Sequence, residues 1–229
     1  MIPIDDVRKV TRFSELPESV QSWIAQRTVR EQISRGKRVF DEGDPCDLFF
    51  YIESGAVKIS RLLENGRELI LDILYAGESI GEAALIDGSP YPASASAQED
   101  TDLLVLPRTE YMKLLRDHPD AALGVIRELS FRLRALHQRL TDIGDGGVEK
   151  RLSQVLLTFA RRIGVQREHG LLIPIHLTRQ ELADMIGARI ETVIRVMSRW
   201  QKEALLNTTP DGVVLLEIPA LEHIAAGRV

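Results

Sequence analysis

A single cysteine, Cys46, stands in a chain of 229 residues. One thiol forms no internal disulfide and supplies no cysteine cluster for zinc or an iron–sulfur centre. Long apolar runs are missing as well: none approaches the ~20 residues that a membrane span needs. The opening MIPIDDVRKVTRF lacks the apolar core of a secretory signal. These absences predict a cytoplasmic protein without a membrane partner. Catalytic signatures are also lacking. There is no nucleophile elbow, phosphate loop or His/Glu metal motif, which argues against an enzyme.

What is present suggests more than one part. The length allows one large or two modest domains, and 44% hydrophobic with 28% charged residues is ordinary for a globular protein. From about Phe13 to Pro107, short β-prone runs such as Leu48–Ile52, Ala56–Leu62 and Glu68–Leu74 alternate with turns. Asn65-Gly66 is a hairpin signal, and Gly43, Gly55, Gly66, Gly77 and Gly81 recur at roughly ten-residue intervals, the rhythm of an antiparallel barrel or jelly roll. From Asp120 to Ile143 the period changes. Ala122, Ile126, Leu129, Leu133, Leu136, Leu140 and Ile143 follow spacings of 4 and 3 in alternation. A buried helix of a monomer can carry a similar stripe, but a two-in-seven seam is narrower than a globular core face. The reading is a parallel dimer helix. Gly144-Asp145-Gly146-Gly147 then reads as a hinge.

Residues 178–204, TRQELADMIGARIETVIRVMSRWQKEA, carry the most chemistry. Thr178 and Glu181 form a capping-box pattern, Gly187 supplies a tight turn, and Val193, Val196, Met197 and Trp200 recur at helical spacing and point inward. Ile190, Glu191, Ile194 and Arg195 are left on the outer face near the start of the second helix. That is where a recognition helix meets base edges in the major groove. Arginine donates two parallel bonds to guanine O6 and N7, glutamate accepts from cytosine N4, and isoleucines suit thymine methyls. The bland alternatives are an ion pair between Glu191 and Arg195, four apart on one face, and packing of Ile190 and Ile194 against a neighbouring wing. Thr178, Arg179 and Gln180 are placed for phosphates, which position a protein without specifying sequence. Strand-like Gly170–Leu177, interrupted by Pro174, and Gly212–Ile218 complete a winged domain after an amphipathic helix at Val148–Ile163. A short helix follows in the tail PALEHIAAGRV.

The net charge of −5 divides unevenly. From Val148 onward 11 Lys and Arg face 9 Asp and Glu, a balance of +2; upstream, 18 face 25, a balance of −7. Such asymmetry points to nucleic acid on the C-terminal side, in salt-sensitive contact with double-stranded DNA.

The order of parts resembles the CRP/FNR superfamily of bacterial transcription regulators over essentially the whole chain. The resemblance rests on F-x-E-G-D at Phe40–Asp44, Y-I-x-x-G at Tyr51–Gly55, Gly81-Glu82, the long helix, and E-T-V-I-R at Glu191–Arg195, which includes Thr192. It implies an α+β fold: an N-terminal antiparallel β-roll of the cyclic-nucleotide-binding type (1–119), a dimerisation helix and hinge (120–147), and a C-terminal winged helix-turn-helix (148–229). It further implies a homodimer on a near-palindromic operator, with RNA polymerase as a partner and Glu191 and Arg195 as base readers. Arg189 and Ile190 stand where family members vary, and Ile194 replaces a small residue; a central GA step on one strand is the expected core of the half-site.

The sensor region departs from the family pattern. In cyclic-AMP-binding members, Gly-Glu is followed about ten residues later by Arg-Ser, whose arginine pairs with the phosphate; here Tyr91 and Pro92 stand there. A buried phosphate without a cation is costly, so the expected effector is not cyclic AMP, although Glu82 is retained. The alternative for Glu82 is to tie a loop through backbone hydrogen bonds. N-terminal cysteines of the oxygen-sensing members are missing, which excludes an iron–sulfur switch. Gly81, Glu82, Tyr91, Leu136 and His137 make up the candidate effector pocket. His137 beside the seam residue Leu136 could ligate haem iron or serve as a half-exposed polar residue. His118, His169, His176 and His223 show no metal spacing. A redox role for Cys46 would need an exposed, low-pKa thiolate. Two modes of control follow: an effector that shifts the helix pair and re-aims the recognition helices, or control by abundance alone.

Overall fold

The computed structural model describes residues 1–64, 66, 68–144, 147–175 and 177–227, with side chains at all of these except 11, 131, 132 and 135–144. The chain divides into two compact units, Met1–Ala135 and Leu136–Val229. The fold is α+β: a β-roll, a long helix and a winged helix-turn-helix.

The first unit opens with helices, not with the strands expected from Phe13 onward. These are α1 (Ile4–Lys9), α2 (Thr11–Ser14) and α3 (Glu18–Arg27). All three are too short to stand alone, and their stability comes from burying Val7, Val10, Phe13 and Ile24. The strands follow as β1 (Val29–Ile33), β2 (Arg38–Phe40), β3 (Leu48–Ser54), β4 (Ala56–Leu62), β5 (Glu68–Tyr75) and β6 (Ser79–Ile80). After α4 (Glu82–Asp87) come β7 (Ser94–Ala97) and β8 (Thr101–Pro107), then α5 (Arg108–Asp117) and α6 (Pro119–Gly144). Two antiparallel sheets result, ordered β1-β8-β3-β6 and β2-β7-β4-β5.

Strands β3 and β8 are apolar without alternation because both faces of their sheet are covered. Register pairs Phe49 with Leu106 and Tyr51 with Leu104, and these four line one small apolar space with Val7, Val10, Phe13 and Ile24. The intervening Phe50 pairs with Val105 and meets Phe40 of the opposite sheet at a ring distance of 5.9 Å. Side chains thus alternate between the helical cover and the interior of the roll.

Helix α6 carries two apolar stripes. Ala121 and Val125 are buried in the roll's core. Ile126 (57% exposed) and Leu133 (53%), with Leu123, face outward. Leu129, which the spacing assigns to the dimer seam, packs partly against the roll's own core. The two stripes merge at that residue because one turn of helix separates them by only a few positions. The side chains of Leu136, His137, Leu140 and Ile143 lie outside the described residues. Gly144 closes α6 and Gly147 caps the next helix; Asp145 and Gly146, the middle of the expected hinge, and Asn65 of the expected hairpin turn also lie outside them.

The second unit runs α7 (Val148–Ile163), β9 (Val165–Arg167), β10 (Gly170–Ile173), α8 (Arg179–Met185), α9 (Ile190–Lys202), β11 (Leu206–Thr209), β12 (Gly212–Leu215) and α10 (Ile218–Ala225). Its sheet is antiparallel in the order β11-β12-β10-β9. The strand expected to reach Leu177 stops at Ile173, immediately before Pro174, which has no N–H for a ladder. The strand expected to reach Ile218 stops at Leu215, and a proline in the first turn of α10 suits a helix start. Among the described residues no helix is long and apolar enough to cross a membrane.

Candidate functional site

The C-terminal site is built by α8 and α9. Thr178 caps α8: its hydroxyl accepts from the Glu181 N–H at 3.1 Å, while the Glu181 carboxylate accepts the Thr178 N–H at 2.9 Å. Leu182, Ala183 and Ile186 bury the inner face of this helix. The backbone then reverses at Gly187, whose φ of 61° lies in the left-handed region open to glycine. From α7, the Arg151 Nε donates to the Ile186 carbonyl at 2.9 Å and closes the end of α8.

Helix α9 buries Val193, Val196, Met197 and Trp200. Its opposite face presents Glu191, Ile194 (45% exposed) and Arg195 to solvent; Arg189, the residue before the helix, is exposed too, while Ile190 and Thr192 are half-buried. Among the described residues Glu191 and Arg195 form no ion pair with each other or with any other side chain. The bland alternative for this pair therefore does not occur, and both groups keep their full hydrogen-bonding capacity. At the start of α8, Gln180 donates to both carboxylate oxygens of Asp184 at 3.0 Å, and Arg179 donates from Nη2 to Thr208 Oγ1 at 2.9 Å.

The sensor region has the opposite character. Glu82 starts α4, is buried, and accepts from Ser79 Oγ at 3.0 Å. It is also bonded to the Tyr111 hydroxyl of α5 and to the guanidinium of Arg12 in α2. The same guanidinium pairs with Glu128 of α6 and donates to Tyr111 Oη at 3.1 Å and Ser79 Oγ at 3.3 Å. Burial opposes the charge on Arg12, but Glu82, Tyr111 and Glu128 outweigh it and raise its pKa. Burial, reinforced by the adjacent Glu82, pushes the Tyr111 phenol up. Glu82 is thus held by side chains and not by the backbone bonds expected as its plain role.

Tyr91 engages other neighbours. Its ring stacks on Phe40 with centroids 3.5 Å apart and planes at 8°, and its hydroxyl donates to the Leu48 carbonyl at 3.2 Å. Gly81 has a φ of 69°, and a Cβ there would stand 2.6 Å from the Tyr91 ring, so ring and backbone are in direct contact. The aromatic residue fills its space with an apolar stack and brings no cation. Glu82 is thus bonded to Ser79, Tyr111 and Arg12, while Tyr91 is engaged by Phe40 and the Leu48 carbonyl. Cys46 is buried beside them, and burial pushes its thiol up, away from a reactive thiolate.

Residues 30–118 match the cyclic nucleotide-binding domain family, and residues 150–224 match the Crp-like helix-turn-helix domain family. The chain is 33% identical over 164 residues to the CRP-like cAMP-activated global transcriptional regulator of Mycobacterium tuberculosis, covering 72% of this chain and 73% of that one. It is 33% identical over 198 residues to the cyclic AMP receptor protein of Thermus thermophilus, covering 86% and 88%. A CRP-family transcriptional regulator of Thermus thermophilus superposes with a TM-score of 0.72 at 25% identity, over 86% of this chain and 96% of that structure. The chain belongs to the CRP/FNR family. It is a DNA-binding transcription regulator and not an enzyme.

Four residues that matter to these CRP/FNR sites carry no signal in the sequence pattern: Arg12, Tyr111, Glu128 and Thr208. Arg12 sits 70 residues from Glu82 and 116 from Glu128. No periodicity joins such positions. The single local hint is a charge set between Val10 and Phe13, both buried.

Proposed function

We propose that this regulator works as a homodimer that reads a near-palindromic operator through Glu191 and Arg195, under control of an effector other than cyclic AMP. The observation that carries the DNA reading is the unpaired state of those two side chains on the solvent face of α9, behind a capped helix and a glycine turn. Arg195 would bond a guanine, Glu191 the cytosine N4, and Ile194 a thymine methyl; Arg189, Ile190 and Thr192 flank them. Thr178, Arg179 and Gln180 would face the backbone. The outward stripe of Ile126 and Leu133 supports pairing of α6 with a second copy, continued by Leu136 and Leu140. Productive binding would set two recognition helices roughly 34 Å apart, with residues 1–119, 120–147 and 148–229 as sensor, dimer helix with hinge, and reader. RNA polymerase is the expected partner at the promoter and the cytoplasm the expected location.

Two relatives are named for cyclic AMP, which makes it the first ligand to test. The stack of Tyr91 on Phe40 and the commitment of Glu82 to Arg12 argue against it, since a phosphate would meet no cation beside Tyr91. Micromolar affinity for cyclic AMP or cyclic GMP in calorimetry would reject this part of the reading. The Arg12 network also favours a second reading, in which the regulator binds DNA without any effector. Native mass spectrometry of the protein taken from its own host without oxygen separates the two. A mass above two chains identifies an effector or cofactor, haem on His137 included. A bare dimer that already protects a palindrome in footprinting supports control by abundance, and a monomer rejects both.

A further inference from the structure

Arg179, in the first turn of α8, is a half-buried cation with a single side-chain partner among the described residues, the Thr208 hydroxyl of β11 at 2.9 Å. No carboxylate among the described residues pairs with it, and the loss of water around the guanidinium lowers its pKa. Its neighbours are already committed. The Thr178 hydroxyl and N–H are both bonded to Glu181, and the Gln180 amide is held by Asp184. A guanidinium has five N–H donors in a rigid fork, and one hydroxyl takes one of them. The remainder suit an anion with several acceptor oxygens. Thr208 is itself exposed on the wing strand, in register with Val213 of β12, so its backbone is fixed by the ladder.

Resting on the reading that this segment grips the DNA backbone, we propose that Thr208 is a positioning residue, which holds the Arg179 guanidinium for a backbone phosphate. The hydroxyl accepts one N–H of Nη2 and fixes the fork's orientation, leaving the second Nη2 hydrogen, with Nε or Nη1 on the same edge, to the phosphate oxygens. The wing strand and the first helix of the helix-turn-helix then hold one phosphate jointly. The wing adds no base contact by this route, so its contribution is uniform across DNA sequences.

The test is operator binding by the full chain, followed by fluorescence anisotropy between 50 and 300 mM KCl, with an unrelated duplex in parallel. Arg179→Ala should weaken both duplexes about tenfold or more and reduce the salt slope by about 0.9 for each phosphate left without its cation. Thr208→Val keeps the strand propensity and removes the hydroxyl. It should weaken both duplexes by about three- to tenfold, with part of the slope reduction, and add little in the Arg179→Ala background. Thr208→Ser should return affinity to within about twofold of the parent, since it restores the acceptor. A merely structural threonine would lower the melting temperature without moving the salt slope, and that result overturns the proposal. So does a Thr208→Val chain with unchanged affinity and slope while Arg179→Ala is weak, which leaves the phosphate reading intact. Neutral Arg179→Ala removes that reading and the proposal with it.

Discussion

Two sets of polar residues, one in each unit, meet opposite fates. In the roll, Arg12, Glu82, Tyr111 and the partly exposed Glu128 satisfy one another, and Tyr91 is stacked on Phe40 and bonded to the Leu48 carbonyl. In the helix-turn-helix, Glu191 and Arg195 have no counter-charge among the described residues, and Arg179 has a single hydroxyl. Buried charge survives folding only when it is paired, so the first set is written into the stability of its unit. Exposed charge without a partner adds almost nothing to stability and is available to a molecule that arrives from outside. Residues of one chemical type thus do structural work in one unit and, on the proposed reading, recognition in the other.

Removing Arg12 is the strongest way to break this contrast. Arg12→Met leaves Glu82 buried without a cation and should destabilise the first unit by about 3–5 kcal/mol. Calorimetry of the full chain should show its transition falling while that of the second unit stays in place; a common shift of both would dissolve the distinction. Arg195→Ala should do the reverse. Melting should be unchanged, and discrimination between the operator and a duplex altered at the central guanine should drop by about 1–3 kcal/mol, roughly 5- to 150-fold. A measurable loss of stability instead would class Arg195 with Arg12. The smallest effect belongs to Ala204, just past the end of α9, which is held at a φ of 54°. A left-handed alanine costs energy that glycine does not, so Ala204→Gly should stabilise the second unit by about 1 kcal/mol. Unchanged DNA affinity in that variant would separate folding from recognition within a single unit.

The readable parts of this chain are those governed by local rules. The cap at Thr178 and Glu181, the turn at Gly187 and the buried set Val193, Val196, Met197 and Trp200 are all short-range patterns, and the structure shows each of them. The long helix spans Pro119–Gly144 where its heptads indicate Asp120–Ile143. The N-terminal helices are not readable, because their stability comes from tertiary burial and exceeds what such short segments supply themselves. The same holds for Leu129, whose place in the heptad is true of the helix surface but whose contact depends on the sheet beside it. Tyr91 is legible as a missing cation; its stack on Phe40 is not, because a pair 51 positions apart in the chain leaves no periodic trace. The comparison with relatives supplies the family but not the Arg12 network, which rests on this chain's own geometry.

The Arg12–Glu128 pair also has a consequence in time. During synthesis the guanidinium emerges 116 residues before its second carboxylate, which at roughly 5–20 residues per second is a wait of about 6–23 s. Through that interval the N-terminal segment carries a cation whose final surroundings do not yet exist. The pair therefore cannot form until the turn of the long helix that carries Glu128 has been made.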